Sequence, residues 1–310
     1  MLKFQGLAKS YSGGKPAVKG IDFEVRDGEV VGFVGLNGAG KTTTIRLAAG
    51  VILPSEGSVA VDGHDIVTDK AKASKEIGWV PELPNVEMGA RAIDLMVYLS
   101  GYHGMKSSEA KARSEELLRL VRLDGFERKR LRTFSQGMKK RFALALALLP
   151  DPQNLLFDEI LNGLDPEGIQ FMRGRAAELK AQGKAVLLSS HILTEIENLS
   201  DRVVFLHKGR VMKVASRAEL RERGRGSGAL RVGLKRLDEG ALRYLRTQGE
   251  VELVGSDVVR VKNFTGDPAS VNAELVGRGY ALYELAKEGS SLEDYFLEMV
   301  AEVDIRSGKD

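Results

Sequence analysis

No cysteine occurs among the 310 residues of this chain. Disulfides, thiol nucleophiles and cysteine-ligated metals are thereby excluded, and the composition fits a reducing compartment. Long apolar runs are missing too. The longest, residues 142–149, stops at Pro150. That falls well short of the ~18 residues that a membrane-spanning helix needs, so it reads as a buried core helix. Residues 1–9 lack the apolar centre of a secretory signal. Any membrane role is therefore expected to come through a partner. Neither sign of charge dominates. A net charge of +3 does not force a nucleic-acid function, which wants a strongly basic face. What remains is ordinary globular material, 43% hydrophobic and 29% charged. Its length suggests one large domain or two ordinary ones.

The pattern divides the chain. Residues 18–25 alternate apolar and polar, as a half-buried strand does, and residues 30–34 form a short apolar strand. A glycine-rich loop and a helix over 41–49 follow. Residues 58–67 read as a hairpin turning at Asp62-Gly63. Residues 83–150 are helix-rich with no clear strand; the pattern predicts a helix over 107–123 with Ser107 as its N-cap. Residues 103–141 hold twelve Lys/Arg against five Asp/Glu, an excess that reads as a solvated helical face. Strands return at 155–157, 185–189 and 202–206, with a helix between the first two and a turn at 208–210. Such α/β alternation argues a mainly parallel sheet. The segment 221–228, RERGRGSG, is charged, glycine-rich and aperiodic, and reads as a linker. Beyond it, residues 229–310 carry eleven Lys/Arg and fifteen Asp/Glu. Their pattern predicts strand, helix, strand, strand, helix, strand and a last helix. That βαββαβ order is the order of a small ferredoxin-like domain.

Two motifs carry chemistry. Gly35-Leu36-Asn37-Gly38-Ala39-Gly40-Lys41-Thr42 fits G-x-x-x-x-G-K-[ST], placed after a strand and at the start of a helix as that motif requires. Its glycines let backbone N–H groups, including those of Asn37, Gly38, Ala39, Gly40 and Thr43, line an anion-binding concavity. The helix aims its positive end at the same phosphates. Lys41 offers a compact charge to the β- and γ-phosphates, and Thr42 a hydroxyl to Mg²⁺. The second motif is the apolar strand Asn154-Leu155-Leu156-Phe157 ending in Asp158-Glu159. A parallel sheet presents such a strand end where ligands bind. Asp158 can then hold Mg²⁺. Glu159, on the opposite side of the strand, is free to orient an attacking water.

Between them lies Phe134-Ser135-Gln136-Gly137-Met138, which resembles the signature of ABC (ATP-binding cassette) ATPases, usually LSGGQ. Ser135 and Gly137 match; Phe134, Gln136 and Met138 depart from Leu, Gly and Gln. The other family elements occur in order. Tyr11 resembles the aromatic residue that stacks on adenine, and Val18 the small apolar position beside the base. Trp79-Val80-Pro81-Glu82 stands where the family has its Q-loop, with Glu82 in place of glutamine and its carboxylate a further oxygen ligand for Mg²⁺. Asn162-Gly163-Leu164-Asp165 looks like the D-loop, and Ser189-Ser190-His191 like the switch histidine.

The resemblance implies a P-loop ABC cassette over residues 1–220, a mixed β-sheet core with a helical subdomain at about 83–150. It implies ATP and Mg²⁺ as cofactors and ATP hydrolysis as the reaction. Two protomers would meet head to tail, as a homodimer or with a similar cassette. Each ATP would lie on the phosphate loop of one and under Ser135, Gln136 and Gly137 of the other, near Asp165. Glu159, His191 and Lys41 would be the catalytic groups. One complete motif set and no fused membrane domain point to a separate transport subunit. It would dock on an integral-membrane permease at the cytoplasmic face of the membrane. Pro81-Glu82, the Ser-Gln-Gly-Met signature and the C-terminal domain resemble exporters of the drug, antibiotic and sodium type. That domain would regulate or support the dimer. Two other readings stay open: an ATPase for a polysaccharide or lipid exporter, and a soluble ATP-switched dimer acting on a protein or nucleic acid without transport. The basic 103–141 stretch is the only support for nucleic acid, which is not expected as a partner.

Overall fold

The computed structural model describes residues 1–12, 14, 16–226, 228–288 and 292–307. It falls into two compact units, Met1–Ala215 and Ser216–Asp310. The first unit opens with strands β1 (Leu2–Lys9), β2 (Val18–Val25) and β3 (Val30–Val34), then helix α1 (Lys41–Ala48). Next come β4 (Glu56–Val61), the short β5 (His64–Asp65), α2 (Lys70–Ala73) and β6 (Ile77–Val80). Three helices follow, α3 (Ala92–Ser100), α4 (Ser107–Leu120) and α5 (Gln136–Ala147). The alternation β7 (Asn154–Phe157), α6 (Pro166–Ala181), β8 (Ala185–Ser190), α7 (Leu193–Leu199), β9 (Arg202–His207) and β10 (Arg210–Ser216) completes it.

Two sheets result. One is antiparallel, in the order β2-β1-β4-β5, and the hairpin turns at Asp62-Gly63, where both residues have positive φ. The other has six strands in the order β10-β9-β3-β8-β7-β6, with parallel pairing from β9 through β6. Every residue of β3, β7 and β8 is buried, as expected for strands covered on both faces. Phe33, Leu156 and Leu187 of these strands and Val204 of β9 share one core with Leu2, Phe4 and Ile21 of the antiparallel sheet and Ile45 of α1. Parallel pairing has a functional consequence. Val34 lies beside Ser190, Phe157 beside Leu188, and Val80 beside Phe157. The strands therefore end together, and whatever follows them meets at one edge of the sheet.

In the helical stretch, Ser107 is the first helical residue of α4 and not its cap. The N-cap is Lys106, in an extended conformation and without a side-chain cap.

The second unit begins with α8 (Arg217–Gly226), followed by β11 (Gly228–Leu234), α9 (Glu239–Arg246), β12 (Glu250–Leu253), β13 (Val258–Phe264), α10 (Pro268–Gly277), β14 (Leu282–Glu288) and α11 (Leu292–Ser307). The helix α8 corrects the expectation of a linker over 221–228, of which Ser227 lies outside the described residues. Its cause stands just upstream. The Glu219 carboxylate accepts from the Ser216 N–H, and the Ser216 hydroxyl accepts from the Glu219 N–H. This reciprocal capping box nucleates the helix in spite of its glycines. The four strands form an antiparallel sheet in the order β12-β13-β11-β14. Leu230, Val232, Leu234, Val259 and Val261 pack with Ala241 and Leu245 of α9 and Val271 and Leu275 of α10. Both helices start on an aspartate: Asp238 accepts from Gly240 and Ala241, Asp267 from Ala269 and Ser270.

Candidate functional site

The edge where β3, β6, β7 and β8 end holds a concavity of about 430 Å³. Ala17, the loop Asn37–Thr43, Glu82, Glu159, Asn162 and His191 line it. Its floor is the turn from β3 into α1. Gly40 has φ +110°, and a Cβ there would stand 2.6 Å from the carbonyl oxygen of Ala17. At Gly35 the Cβ would meet the Leu206 carbonyl oxygen at 2.5 Å. Only glycine allows the loop to wrap this closely. Lys41 is buried, and its ammonium donates to the Gly35 carbonyl at 2.7 Å.

The two acids part in the turn just beyond the end of β7 and not by strand alternation, because Glu159 leaves the extended conformation. Asp158 Oδ1 accepts from Thr42 Oγ1 at 3.1 Å and from Ser189 Oγ at 3.0 Å. Burial raises its pKa above the usual carboxylate range; the two hydroxyl bonds act the other way, and the charges of Glu159 and Glu82 add to the rise. Glu159 turns to the opposite side. Its Oε1 pairs with Lys41 Nζ at 3.1 Å, and its Oε2 stands 3.0 Å from His191 Nδ1 and accepts from the His191 backbone N–H at 3.3 Å. Glu159 itself has φ +48°, a left-handed conformation costly for a residue with a side chain. The Ser189 hydroxyl fixes it from one side by accepting the Glu159 N–H at 2.9 Å. One hydroxyl thus locks both acids. Its proton goes to Asp158, and its lone pair takes the backbone of Glu159.

Of the expected site residues, the fold brings Asn37, Gly38, Ala39, Gly40, Lys41, Thr42, Thr43, Glu82, Glu159 and His191 to one concavity, with Asp158 bonded beneath it. Others stand apart. Val18 is fully buried in the core, and Ala17 takes the lining position. Tyr11 is 47% exposed, with the Lys9 ammonium 5.4 Å from its ring centre. Ser135, Gln136 and Gly137 open α5, where Ser135 Oγ accepts from the Met138 N–H at 3.2 Å. Asp165 caps α6 by accepting from the Gly168 N–H at 2.8 Å.

Three contributors were not singled out from the sequence. Asn162 and Ser189 lie inside motifs read as wholes. Lys140 is the larger omission. It is buried, and its ammonium donates to the carbonyl oxygens of Glu159, Ile160 and Asn162 at 3.1, 3.1 and 2.5 Å. The solvated-face reading of residues 103–141 fails at this residue. Its signal was faint: a charged position one turn into an apolar helix.

Comparisons with known proteins agree with this geometry. A sequence model of the ABC transporter family matches residues 18–162. The chain is 32% identical to the bacitracin transport ATP-binding protein of Bacillus licheniformis, over 97% of each chain. It is 33% identical to the Nod factor export ATP-binding protein I of a Rhizobium species, over 96% of each. A solved ATP-binding subunit of an ABC transporter superposes with a TM-score of 0.66 at 31% identity, covering 72% of this chain and 92% of that one. This protein belongs to the ATP-binding subunits of the ABC transporters.

Proposed function

We propose that the chain is the ATP-hydrolysing subunit of an ABC exporter, with Glu159 as the group that orders and deprotonates the attacking water. The observation that carries the reading is the setting of that carboxylate. It is buried between Lys41 and His191 at the mouth of the phosphate loop. A γ-phosphate on the loop would draw the Lys41 ammonium toward itself. It would thereby free Glu159 to take a proton from water as its oxygen attacks phosphorus in line. Lys41 and the helix start would then offset the charge that develops on the phosphate oxygens. His191, beside Oε2, would contact the γ-phosphate and fix the orientation of the carboxylate. Tyr11 would stack on the adenine, with Ala17 beside it in place of the buried Val18.

Mg²⁺ fits the residues present. Thr42 and Asp158 offer hard oxygen donors in contact with each other, and Glu82 lies on the same wall. Asp158 is a buried carboxylate crowded by two like charges, a setting that a divalent cation would relieve. Among the described residues no group of three or more His, Cys, Asp or Glu side chains could hold a metal by itself. Such a sparse protein shell suits an ion carried largely by phosphates and water. The ion would supply charge neutralisation at the phosphates.

Two further parts of the reading concern partners. Ser135, Gln136, Gly137 and Asp165 lie outside the concavity, which supports a head-to-tail dimer in which they meet the ATP of the other protomer. Mixing Lys41→Ala chains with Ser135→Arg chains should recover activity that neither shows alone, because one hybrid site then has both parts intact. Confirmed heterodimers with no recovery would refute the arrangement. No described helix is long and apolar enough to cross a membrane. The likeness to transport and export ATP-binding proteins supports a place at the cytoplasmic face of the membrane, on a permease. A tagged chain should co-purify from detergent-solubilised membranes with an integral membrane protein and hydrolyse ATP. Recovery as a soluble species that shifts DNA or RNA in a salt-sensitive way would favour the non-transport reading. The relatives named for bacitracin transport and Nod factor export support export. The second unit we read as a ferredoxin-like domain with a regulatory or dimer-supporting role; its strand order and purely apolar core support this.

A further inference from the structure

The three donors of the Lys140 ammonium are all committed. They go to the carbonyl oxygens of Glu159, Ile160 and Asn162, so none is left for a phosphate. The acceptors belong to one tight turn, in which the Asn162 N–H also returns to the Glu159 carbonyl at 3.1 Å. Glu159 enters that turn in the left-handed conformation. A side-chain-bearing residue keeps such a conformation only when its surroundings over-determine it. Here they do so from two directions. The Ser189 hydroxyl takes the Glu159 N–H at 2.9 Å, and Lys140 takes its C=O. The peptide groups on both sides of the Glu159 Cα are therefore held, and the side chain is aimed at Lys41 and His191.

An ammonium buried for mere packing is improbable on energetic grounds, because desolvating a charge is costly unless it is paired and hydrogen-bonded. Burial does press the Lys140 pKa down, while the charges of Glu82 and Glu159 act to keep it protonated. Among the described residues no carboxylate forms an ion pair with Lys140, and its bonds run to backbone carbonyls. A lysine that grips three main-chain oxygens around the hydrolytic acid is a clamp on backbone geometry. It also stands on α5, five residues beyond the Ser135 that caps this helix. The clamp therefore joins the helix opened by the signature residues to the loop that carries the acid.

We propose that Lys140 is a positioning residue for ATP hydrolysis: by holding the carbonyls of the turn Glu159-Ile160-Leu161-Asn162 from helix α5, it sets the backbone conformation that aims Glu159 at the phosphate site. The inference rests on the reading of Glu159 as the water-activating group.

The test compares the full-length protein with Lys140→Met, which keeps length and apolar bulk but has no donor, and Lys140→Arg, which keeps charge and donors. Each is made alone and together with Glu159→Gln. ATP affinity is measured by equilibrium titration, and kcat and KM by steady-state hydrolysis. Displacing a reacting group by about 1 Å costs on the order of a hundredfold in rate. Lys140→Met is therefore expected to lower kcat by about tenfold or more, with ATP affinity and KM within about twofold, because the phosphate loop is untouched. Lys140→Arg should recover part of the loss. In the Glu159→Gln background Lys140→Met should add almost nothing, since the group through which it acts is gone. A merely structural lysine would lower affinity and kcat together, and its effect would persist without Glu159. Wild-type kcat in Lys140→Met, or an equal fold-loss in both backgrounds, overturns the proposal. So does failure of both variants to fold, which would assign Lys140 to the core alone. If Glu159→Gln by itself hydrolyses ATP at the wild-type rate, the reading of Glu159 fails, and the proposal falls with it by a distinguishable route.

Discussion

The first unit buries charge, and among the described residues the second does not. Lys41, Lys140, Asp158 and Glu159 are all buried in the first, within or beside the ends of β7, β8 and the phosphate loop. In the second, every buried side chain among the described residues is apolar or aromatic, from Leu230 and Val232 to Leu275 and Phe296. Its charges lie partly exposed on the sheet, where Arg231 pairs with Glu284 at 2.8 Å and Arg260 with Glu288 at 2.6 Å. Such pairs contribute little, roughly 0–1 kcal/mol each. The difference separates two kinds of design. An apolar core stabilises without committing to any chemistry. Ionised groups in a low-dielectric setting cost stability unless something offsets them, and a protein that keeps four together marks a functional site. In the first unit the offset comes from Lys41 against Glu159, from hydroxyls on Asp158, and from carbonyls on Lys140.

The sharpest way to break this comparison is to remove a charge from the first unit while keeping shape. Glu159→Gln should retain ATP binding and lower kcat by a factor on the order of 10²–10⁴. ATP-bound dimers should then accumulate and be visible by size-exclusion chromatography with light scattering. Hydrolysis at the wild-type rate would remove Glu159 from the mechanism.

A smaller effect, and one of mixed sign, is expected at Asp158. Burial raises its pKa in the folded protein. Relative to the unfolded chain, this group therefore favours folding at pH values below the ordinary carboxylate range. That contribution is lost as pH rises through the raised value, so at neutral pH the ionised acid is a local cost. Asp158→Asn removes the cost and can still accept from Thr42 and Ser189. In EDTA and without nucleotide its Tm should exceed that of the wild type by a few degrees at neutral pH, and the gap should close in acid. Magnesium-dependent hydrolysis should fall at the same time by a factor on the order of 10². An unchanged or lower Tm at neutral pH would show that Asp158 is fully compensated without a cation.

The same comparison explains what could be read in advance. The phosphate loop was legible because its eight residues are contiguous and its chemistry is local. The apolar alternation of Leu230, Val232 and Leu234 was legible because strand period 2 is a local property as well. Contacts between motifs were not. Glu159 and His191 lie 32 residues apart and meet only because β7 and β8 pair in parallel and end together. The grip of Lys140 on residues 159–162 was hidden for a further reason. It sits in Lys139-Lys140-Arg141, and a run of like charge normally means solvent. The helix Arg217–Gly226 was misread from the glycines of RERGRGSG, while the capping box that starts it, Ser216 with Glu219, lay just outside that window.

The smallest expected effect gives the most direct test of the central claim, that nucleotide chemistry resides wholly in the first unit. ATP affinity should be measured by equilibrium titration for a chain ending after Ala215, beside the full-length protein. A folded protein is expected that binds ATP with a Kd within about twofold of the full chain, since every residue lining the phosphate concavity belongs to the first unit. A truncated chain that is soluble and folded but binds no ATP would contradict it and make the second unit part of the nucleotide site.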